Sequence, residues 1–436
     1  MGQAIASERI QYVVEGGHRL SGEITPSGNK NAALPIVAAA LLTDQPVMLS
    51  NVPRIRDVEA LVELIRSVGA EAEWTARNAL RIHARSLRPA DLDPDLCARI
   101  RASILLAGPM LARCGELTLP PPGGDVIGRR RVDTHFLALM ALGAEVSIDG
   151  RYVMRAKRLV GADVFMDEPS VTATENALCA AVAAEGVTVL RNCASEPHVQ
   201  DLARFLCAMG AHIEGIGTNC MTVHGGAALG GASHAIGADH IEIASLIGLA
   251  AVTGSEITIR NPVMDDLRAI LMGFDRLGIR CQPVSDDLLI PAGQEMVVQD
   301  DLGGHIPVIS DQPWPAFPAD AMSIAIVTAT QCKGTVLMFE KMFESRMFFV
   351  DKLISMGARI VLCDPHRVLV AGPSSLRAAR LQSPDIRAGM AMLIAAMCAR
   401  GESVIDNAQQ IERGYERIDE RLGALGARII RVPARG

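Results

Sequence analysis

The stretch ALGAEVSI, residues 141–148, decides how the chain is read, because its pattern returns five more times. A helix-like run stops at a glycine step, and a strand-like run follows at once. The same pattern occurs at SVGAEAEW (from Ser67), AMGAHIEG (from Ala208), RLGIRCQP (from Arg276), SMGARIVL (from Ser355) and ALGARIIR (from Ala424). Gly69, Gly143, Gly210, Gly278, Gly357 and Gly426 sit at the step. Helices often end on a residue with positive φ, which glycine adopts without a Cβ penalty, so each is a candidate C-cap.

Further out, a second pair of elements recurs in phase with the first. Short β-like runs begin at PVMLSNV (Pro46), ELTLPPP (Glu116), VTVLRN (Val187), EITIRN (Glu256), TVLMFE (Thr335) and ESVIDN (Glu402). Each follows a run of small and apolar residues with helical character, at 31–42, 101–112, 173–184, 241–252, 322–332 and 388–399. Those runs are apolar nearly all round, the pattern of a helix buried on every side. The repeated unit is therefore buried helix, strand, outer helix, strand. Six units of roughly 70 residues are too long for the common solenoid repeats. The 436 residues also exceed what a single hydrophobic core supports. Division three and three between two domains, each closed around its buried helices, follows, in the α/β or α+β class.

Composition narrows the function. A formal net charge of −7 argues against a binder of nucleic acid or anionic membrane, which needs a basic surface. Hydrophobic residues make up 49% but aromatics only 3%, so the cores are packed from Ala, Leu, Ile, Val and Met. The longest apolar runs, such as residues 36–42, fall far short of the roughly 18 that a membrane span needs. The opening MGQAIASERI lacks the basic and apolar regions of a signal peptide. Ten cysteines are scattered singly, with no CxxC pair or Cys/His cluster at metal-ligand spacing. They read as small core residues of a reduced cytoplasmic protein.

Residues 120–135, PPPGGDVIGRRRVDTH, carry the functional signal. Glycines beside Arg129, Arg130 and Arg131 suit a mobile loop that closes over an anion, since guanidinium forks bind phosphate or carboxylate bidentately. Asp125 sits inside that positive field. SGNKNAALP (from Ser27) puts Lys30 and Asn31 at the start of the first buried helix, where backbone amides favour anions. The plainer alternative is Asn31 as an N-cap and Lys30 as a solvated loop residue. RASILLAGPML (from Arg101) opens another buried helix with an arginine, which either binds a ligand or snorkels. In WPAFPADAM (from Trp314), Asp320 precedes the fifth buried helix, as a proton acceptor or as an ordinary N-cap. Arg346 in FESRM, Arg387 in DIRAG and Arg413 in ERGYERIDE each stand near a segment junction. Lys30, Arg101 and Arg130 belong to the first half of the chain, and Asp320, Arg346, Arg387 and Arg413 to the second. A cleft between two domains would let them meet an anionic substrate, with Asp125 and Asp320 as proton-transfer groups.

GGHRLSGEITPSGNKNAALPI, RASILLAGPMLA, PPGGDVIGRRRVDTH, PSVTATENA, DHIE, PAFPAD, FESR, DIRAG and ERGYERI occur in this order along almost the whole chain. They resemble the successive signatures of the UDP-N-acetylglucosamine enolpyruvyl transferase (1-carboxyvinyltransferase) family. The resemblance implies an inside-out α/β barrel fold of two domains, each a pseudo-threefold assembly of three βαβαββ units. It implies one domain at 30–237, carrying the loop 120–135, and another at 1–29 plus 238–436. The implied reaction moves the enolpyruvyl group of phosphoenolpyruvate to the 3-hydroxyl of UDP-N-acetylglucosamine, releasing phosphate through a tetrahedral intermediate. That reaction is the first committed step of peptidoglycan synthesis. Carried onto this sequence, Lys30, Arg101, Arg130 and Arg413 match residues that hold the phosphoenolpyruvate anions. Asp320 matches the acceptor of the hydroxyl proton, and Asn31 a sugar contact. Arg130, Arg131, Val132, Asp133 and Thr134, with Glu168, Pro169, Ser170 and Val171, occupy the nucleotide-binding segments. Met342 is a further substrate contact, and Arg346 and Arg387 match arginines of the closing site. The expected partners are small molecules, phosphoenolpyruvate and a uridine nucleotide or nucleotide-sugar, with no metal, organic cofactor, nucleic acid or membrane called for.

The chain departs from the family pattern first at Asp125, where most members carry a cysteine acting as general acid toward the methylene carbon. Aspartate fills that role in some members. Model thiols titrate near ~8.5 and model aspartates near ~3.9, so activity is expected to fall off at lower pH than in cysteine-bearing relatives. The epoxide antibiotic fosfomycin alkylates that cysteine and is expected not to inactivate this chain. Arg131 replaces a usual proline, Thr172 a glycine, His240 an arginine and Ala319 a threonine. All but Ala319 fall in or near the nucleotide-sugar segments. This leaves open a paralogue acting on another nucleotide such as uridine monophosphate, as in nucleoside-antibiotic pathways, with Arg131 on an extra phosphate. A non-catalytic nucleotide-sugar binder is a third reading, opposed by the presence of Lys30, Asp320 and Arg413. 5-Enolpyruvylshikimate-3-phosphate synthase shares the fold, but SGNKNAALP and RGYERI resemble it less.

Overall fold

All six glycine steps end an outer helix, and the backbone explains why glycine stands there. The helices Arg56–Ser67, Asp133–Ala141, Pro197–Ala208, Arg268–Arg276, Val350–Ser355 and Ile418–Ala424 each run into a glycine whose φ lies between 78° and 111°. The chain then leaves as the strands Glu71–Ala76, Glu145–Ile148, His212–Glu214, Gln282–Val284, Ile360–Asp364 and Arg428–Pro433. These features come from a computed structural model that describes residues 9–88, 91–125 and 127–434. The chain forms two compact units. One comprises Gly28–Asp125 and Arg130–Gly237, and the other Met1–Ser27, Val126–Arg129 and Ala238–Gly436.

Each unit holds three repeats, and each repeat builds one small sheet of fixed order. In the third repeat the strand Asp163–Phe165 lies parallel to Val187–Arg191, which pairs antiparallel with Cys220–His224, which in turn pairs with His212–Glu214. Four other sheets repeat that order with four strands. The sixth has three strands, its leading position reduced to a bridge between Asp91 and Thr118. A short leading strand in five repeats, and a hairpin return strand in all but the C-terminal one, are thus added to the unit read from the sequence.

Pairing does not follow chain order where the chain passes between units at Gly28 and again at Ala238. Ser21–Ile24 precedes the first crossing, yet it lies parallel to Glu256–Ile259. Ser233–Ala235 precedes the second and lies parallel to Val47–Ser50. Ile10–Glu15 is inserted between Glu402–Asp406 and Arg428–Pro433, antiparallel to both. The N-terminal segment therefore completes two sheets of the unit that also holds the C-terminus.

Inside each unit the buried helices pack on one another. In one they are Lys30–Ala39, Ala107–Cys114 and Val171–Ala181, and in the other His240–Thr253, Ala319–Ala329 and Ile386–Cys398. Small residues set the spacing. A Cβ at Gly248 would stand 2.7 Å from Thr328 Oγ1 and 2.8 Å from Ile324 Cγ2, closer than packed atoms tolerate. The two cores are almost wholly aliphatic, as the scarcity of aromatics requires.

The run 101–112 is not one α-helix. Residues Arg101–Leu106 form a 3₁₀ segment, and the α-helix spans Ala107–Cys114. Pro109 has no N–H to continue the ladder, and the side chain of Asn176 occupies the gap. Gly108 N donates to Asn176 Oδ1 and Asn176 Nδ2 donates to the Ile104 carbonyl, both at 2.8 Å. The amide thus satisfies the two backbone groups that a regular i→i−4 bond would have joined. The ten cysteines are all free; four are buried and Cys363 is exposed. Among the described residues no helix is long and apolar enough to cross a membrane.

Candidate active site

In the unit Gly28–Asp125 and Arg130–Gly237, the first buried helix starts at Lys30, and its N-cap is Asn29. The Asn29 side chain accepts from the backbone N–H groups of Asn31 and Ala32 at 2.8 and 3.3 Å. Asn31 is therefore not the cap. Lys30 is not a solvated loop residue either: its ammonium pairs with Asp57 at 2.8 Å, both side chains nearly buried. Asp57 comes from the first turn of the next outer helix, and nothing in the local sequence marks it as a partner of Lys30.

Arg101 opens the 3₁₀ segment and donates from Nη2 to the carbonyls of Arg130 and Arg131 at 2.8 and 2.9 Å. It therefore clamps the returning limb of the loop 120–135. The outgoing limb is tied at Gly123, whose N–H donates to the Cys97 carbonyl. A Cβ at Gly124, φ 108°, would stand 3.0 Å from Arg101 Cβ and 3.5 Å from Arg130 Nη1. The Arg101 backbone and the Arg130 guanidinium thus crowd the residue next to Asp125. Burial and the charge of Arg130 push Arg101 down to about 10, still protonated at neutral pH. An anion bound there would relieve both effects.

Arg131 points into a carboxylate cluster. It lies 3.1 Å from Asp133, 2.7 Å from Asp167 and 3.9 Å from Glu168, and Thr134 Oγ1 donates to Asp167 at 2.6 Å. Hydrogen bonding to Asp167, and then Asp133, raises its pKa further. A guanidinium held by three carboxylates is poorly placed to await an extra phosphate. Val132 precedes the helix that Asp133 begins, and Ser170 caps the helix from Val171, its hydroxyl accepting from Ala173 N. Glu168 and Pro169 form the turn before that cap, where Ser170 N donates to the Glu168 carbonyl at 2.8 Å. Thr172 serves the interior: its hydroxyl meets Nε2 of the buried His135 at 3.0 Å, and His135 Nδ1 lies 2.8 Å from Asn176. Burial and the Arg101 charge lower His135 to about 3, so the ring is neutral.

In the other unit, Asp320 lies in the first turn of Ala319–Ala329 and makes no cap bond; the N-cap is Pro318. Its two oxygens instead go to two arginines. Arg346 Nη2 reaches Oδ1 at 3.0 Å, and Arg387 reaches Oδ2 through Nε and Nη2 at 3.1 and 3.0 Å. The Asp320 side chain is 31% exposed, but those of Arg346 and Arg387 only 4% and 6%. Arg387 rests over the ring of Tyr415, and Arg346 over Phe343. Behind Arg346, Glu340 is fully buried, 3.4 Å from its Nε. That separation suits an ion pair, yet burial outweighs the guanidinium and Asp311 adds a like charge, so Glu340 is pushed up to about 9. We read it as the neutral acid. His240 is buried edge-on to Trp314 and lowered to about 4 by burial and the Arg387 charge. Arg413 ends the 3₁₀ segment Ala408–Arg413 and donates to Gln410 at 2.9 Å. Met342 is exposed at 39%.

The structure thus gathers Arg101 with Arg130 beside Asp125, pairs Lys30 with Asp57, and gathers Asp320 with Arg346 and Arg387. Asp57, Asp167, Glu340 and Tyr415 were not singled out by the sequence. Only Tyr415 carried a signal, as part of RGYERI.

Comparison with known proteins sharpens this. Residues 14–422 match the family described as EPSP synthase (3-phosphoshikimate 1-carboxyvinyltransferase). A UDP-N-acetylglucosamine 1-carboxyvinyltransferase of Bradyrhizobium diazoefficiens is 73% identical, covering 98% of this chain and 99% of its own length. The chain belongs to the UDP-N-acetylglucosamine 1-carboxyvinyltransferase family. Another family member, from Treponema pallidum, is 56% identical over 96% of this chain and 98% of its own. Among solved structures, the enolpyruvyl transferase NikO from Streptomyces tendae superposes with a TM-score of 0.86 at 25% identity, covering 98% of this chain and all of NikO. The EPSP synthase of Acinetobacter baumannii superposes at 0.75 with 16% identity over 97% of this chain and all of its own, a likeness of fold. The family fold is the α/β two-domain architecture that the six repeats describe.

Proposed function

We propose that the protein transfers the enolpyruvyl group of phosphoenolpyruvate to the 3-hydroxyl of UDP-N-acetylglucosamine, releasing phosphate. The observation that carries this is 73% identity, over almost the full length of both chains, to a relative named for that reaction. Residues of both three-repeat domains, 30–237 and 1–29 plus 238–436, take part. Asp125 protonates the methylene carbon of phosphoenolpyruvate, and the neighbouring carbon becomes electron-poor. The sugar oxygen adds to that carbon as its proton passes to Asp320. The Asp125 carboxylate then takes a methyl proton back as the C–O bond to phosphate breaks, restoring the double bond and releasing phosphate.

Lys30, Arg101, Arg130 and Arg413 hold the carboxylate and phosphate, because two anionic reactants approach each other only where cations offset their repulsion. Arg346 and Arg387 fix both oxygens of Asp320, so the proton acceptor is in place before the acceptor sugar arrives. Asn31, Met342 and the segments 130–134 and 168–171 contact the nucleotide-sugar. The protein works in the cytoplasm, where both substrates are found, and resists fosfomycin.

Phosphate release from phosphoenolpyruvate distinguishes the acceptors. Release with UDP-N-acetylglucosamine and none with uridine monophosphate is expected. Release with uridine monophosphate alone would transfer the assignment to the paralogue, against the engagement of Arg131 by its three carboxylates. Release with neither would overturn the reading.

A further inference from the structure

The hairpin that closes the third sheet carries a side-chain cluster with no part in the proposed reaction. His212–Glu214 is an edge strand, paired antiparallel with Cys220–His224 so that His212 stands opposite His224 and Glu214 opposite Thr222. Side chains alternate across a strand. Ile213 and Val223 therefore enter the core, and His212, Glu214 and His224 share the outer face. The two imidazoles stack with centroids 4.4 Å apart and planes 13° from parallel. Both Nε2 atoms turn to the same oxygen, Glu214 Oε1, at 3.5 Å from His212 and 3.1 Å from His224.

We infer that His212, Glu214 and His224 form a surface site for a divalent cation of the zinc class, which ties the edge strand to its neighbour. The three ligand atoms lie within 4.8 Å of one another. A tetrahedral ion with ligands at about 2.0–2.2 Å separates them by about 3.3–3.5 Å, and the two histidine-to-glutamate distances already fall close to that range. Stacked rings aim their in-plane lone pairs in parallel, so the imidazoles must tilt out of the stack for both Nε2 atoms to meet one ion, which their exposure permits: the side chains are 66%, 60% and 41% exposed for His212, Glu214 and His224. Two imidazole nitrogens and one carboxylate select Zn²⁺, Ni²⁺ or Cu²⁺. Mg²⁺ and Ca²⁺ require more oxygen ligands than one glutamate offers. Water fills the remaining position. The ligands come from two strands paired at the edge of the sheet, so the bound ion acts as a cross-strand staple. Its role is structural.

The test is calorimetric titration of the full chain, without substrates, with Zn²⁺ and separately with Mg²⁺. A C220S/C363S background removes the hairpin's thiol and the exposed one as competing ligands. One saturable Zn²⁺ site per chain is expected, with no Mg²⁺ binding. Zn²⁺ should also raise the thermal midpoint. His224→Ala and His212→Ala should each weaken Zn²⁺ binding by about tenfold or more, and Glu214→Gln by less. All three should keep the metal-free thermal midpoint, which shows that they fold. The proposal is overturned if Zn²⁺ does not bind, or if it binds the H212A/H224A double variant with the same affinity and midpoint shift.

Discussion

Two carboxylates carry the proposed proton transfers, and the protein holds them in opposite ways. Asp320 sits at the start of a buried helix with both oxygens taken by buried arginines. Asp125 sits in a loop, next to a glycine at φ 108°. The limb that follows it is tied by the clamp of Arg101 on the carbonyls of Arg130 and Arg131. Position 320 therefore belongs to the charge balance of a buried helix, whereas position 125 belongs to a loop whose course is set by backbone contacts. The largest expected effect tests the first half of this contrast. Asp320→Asn removes the proton acceptor and leaves two buried guanidinium groups facing a neutral amide. The turnover number should fall about 10²–10⁴-fold, and the thermal midpoint should fall with it because buried cations lose their counter-charge. Turnover within about tenfold of the parent would break the contrast.

The unit that carries Asp125 depends instead on a neutral plug. Asn176→Ala strands Gly108 N in the interior, takes from the Ile104 carbonyl one of its two donors, leaving Ala107 N, and removes the partner of His135 Nδ1. The expected loss is about 2–4 kcal/mol, since each buried unsatisfied group costs about 1–3 kcal/mol. Urea unfolding measures it; a change under about 0.5 kcal/mol would mean that water or a backbone shift replaces the amide. This residue also shows where the sequence stops being informative. The six glycine steps and six buried helices could be read directly, because both are local patterns with a period. The break at residue 106 had only Pro109 as a local mark, and its plug could not be read, because Asn176 lies far along the chain from the gap it fills. Leading strands of three residues are too short to carry a period, and the pairing of Ser21–Ile24 with Glu256–Ile259 is wholly non-local. At the site, motifs named Lys30, Asp320 and Arg387, but the partner Asp57 reads as one more acid in the first turn of an outer helix.

Glu340 probes the surroundings of Asp320 at smaller scale. Burial raises its folded-state pKa to about 9, from 4.5 for an ordinary glutamate carboxyl. Between those values the folded chain holds a proton that the unfolded chain has released. Stability is therefore lost as pH rises through that window, with a slope of up to ~1.4 kcal/mol per pH unit from this group. Glu340→Gln keeps the shape and removes the ionisation, so the variant should lose less stability between pH 6 and pH 9 than the parent, as read from paired denaturation curves. Parallel curves would mean that Glu340 is ionised against Arg346, and that Asp320 shares its arginine with a second anion.

The smallest change in turnover is expected at the loop, where the contrast is sharpest. Asp125→Cys exchanges one proton donor for another in a loop whose limbs are tied by backbone contacts and by the Arg101 clamp. Turnover at the optimal pH should stay within about tenfold of the parent, a margin equivalent to ~1.4 kcal/mol in barrier. The alkaline limb of the pH–rate profile should move upward, because a model thiol keeps its proton to higher pH than a model carboxylic acid, ~8.5 against ~3.9. The variant should also gain time-dependent inactivation by fosfomycin, with the adduct at residue 125, while the parent resists it. Asp320→Cys should show neither behaviour, since a thiol cannot serve two guanidinium groups. Loss of activity in both cysteine variants to the same degree would mean that the loop carboxylate is as deeply embedded as Asp320, and that the contrast between loop and helix is wrong.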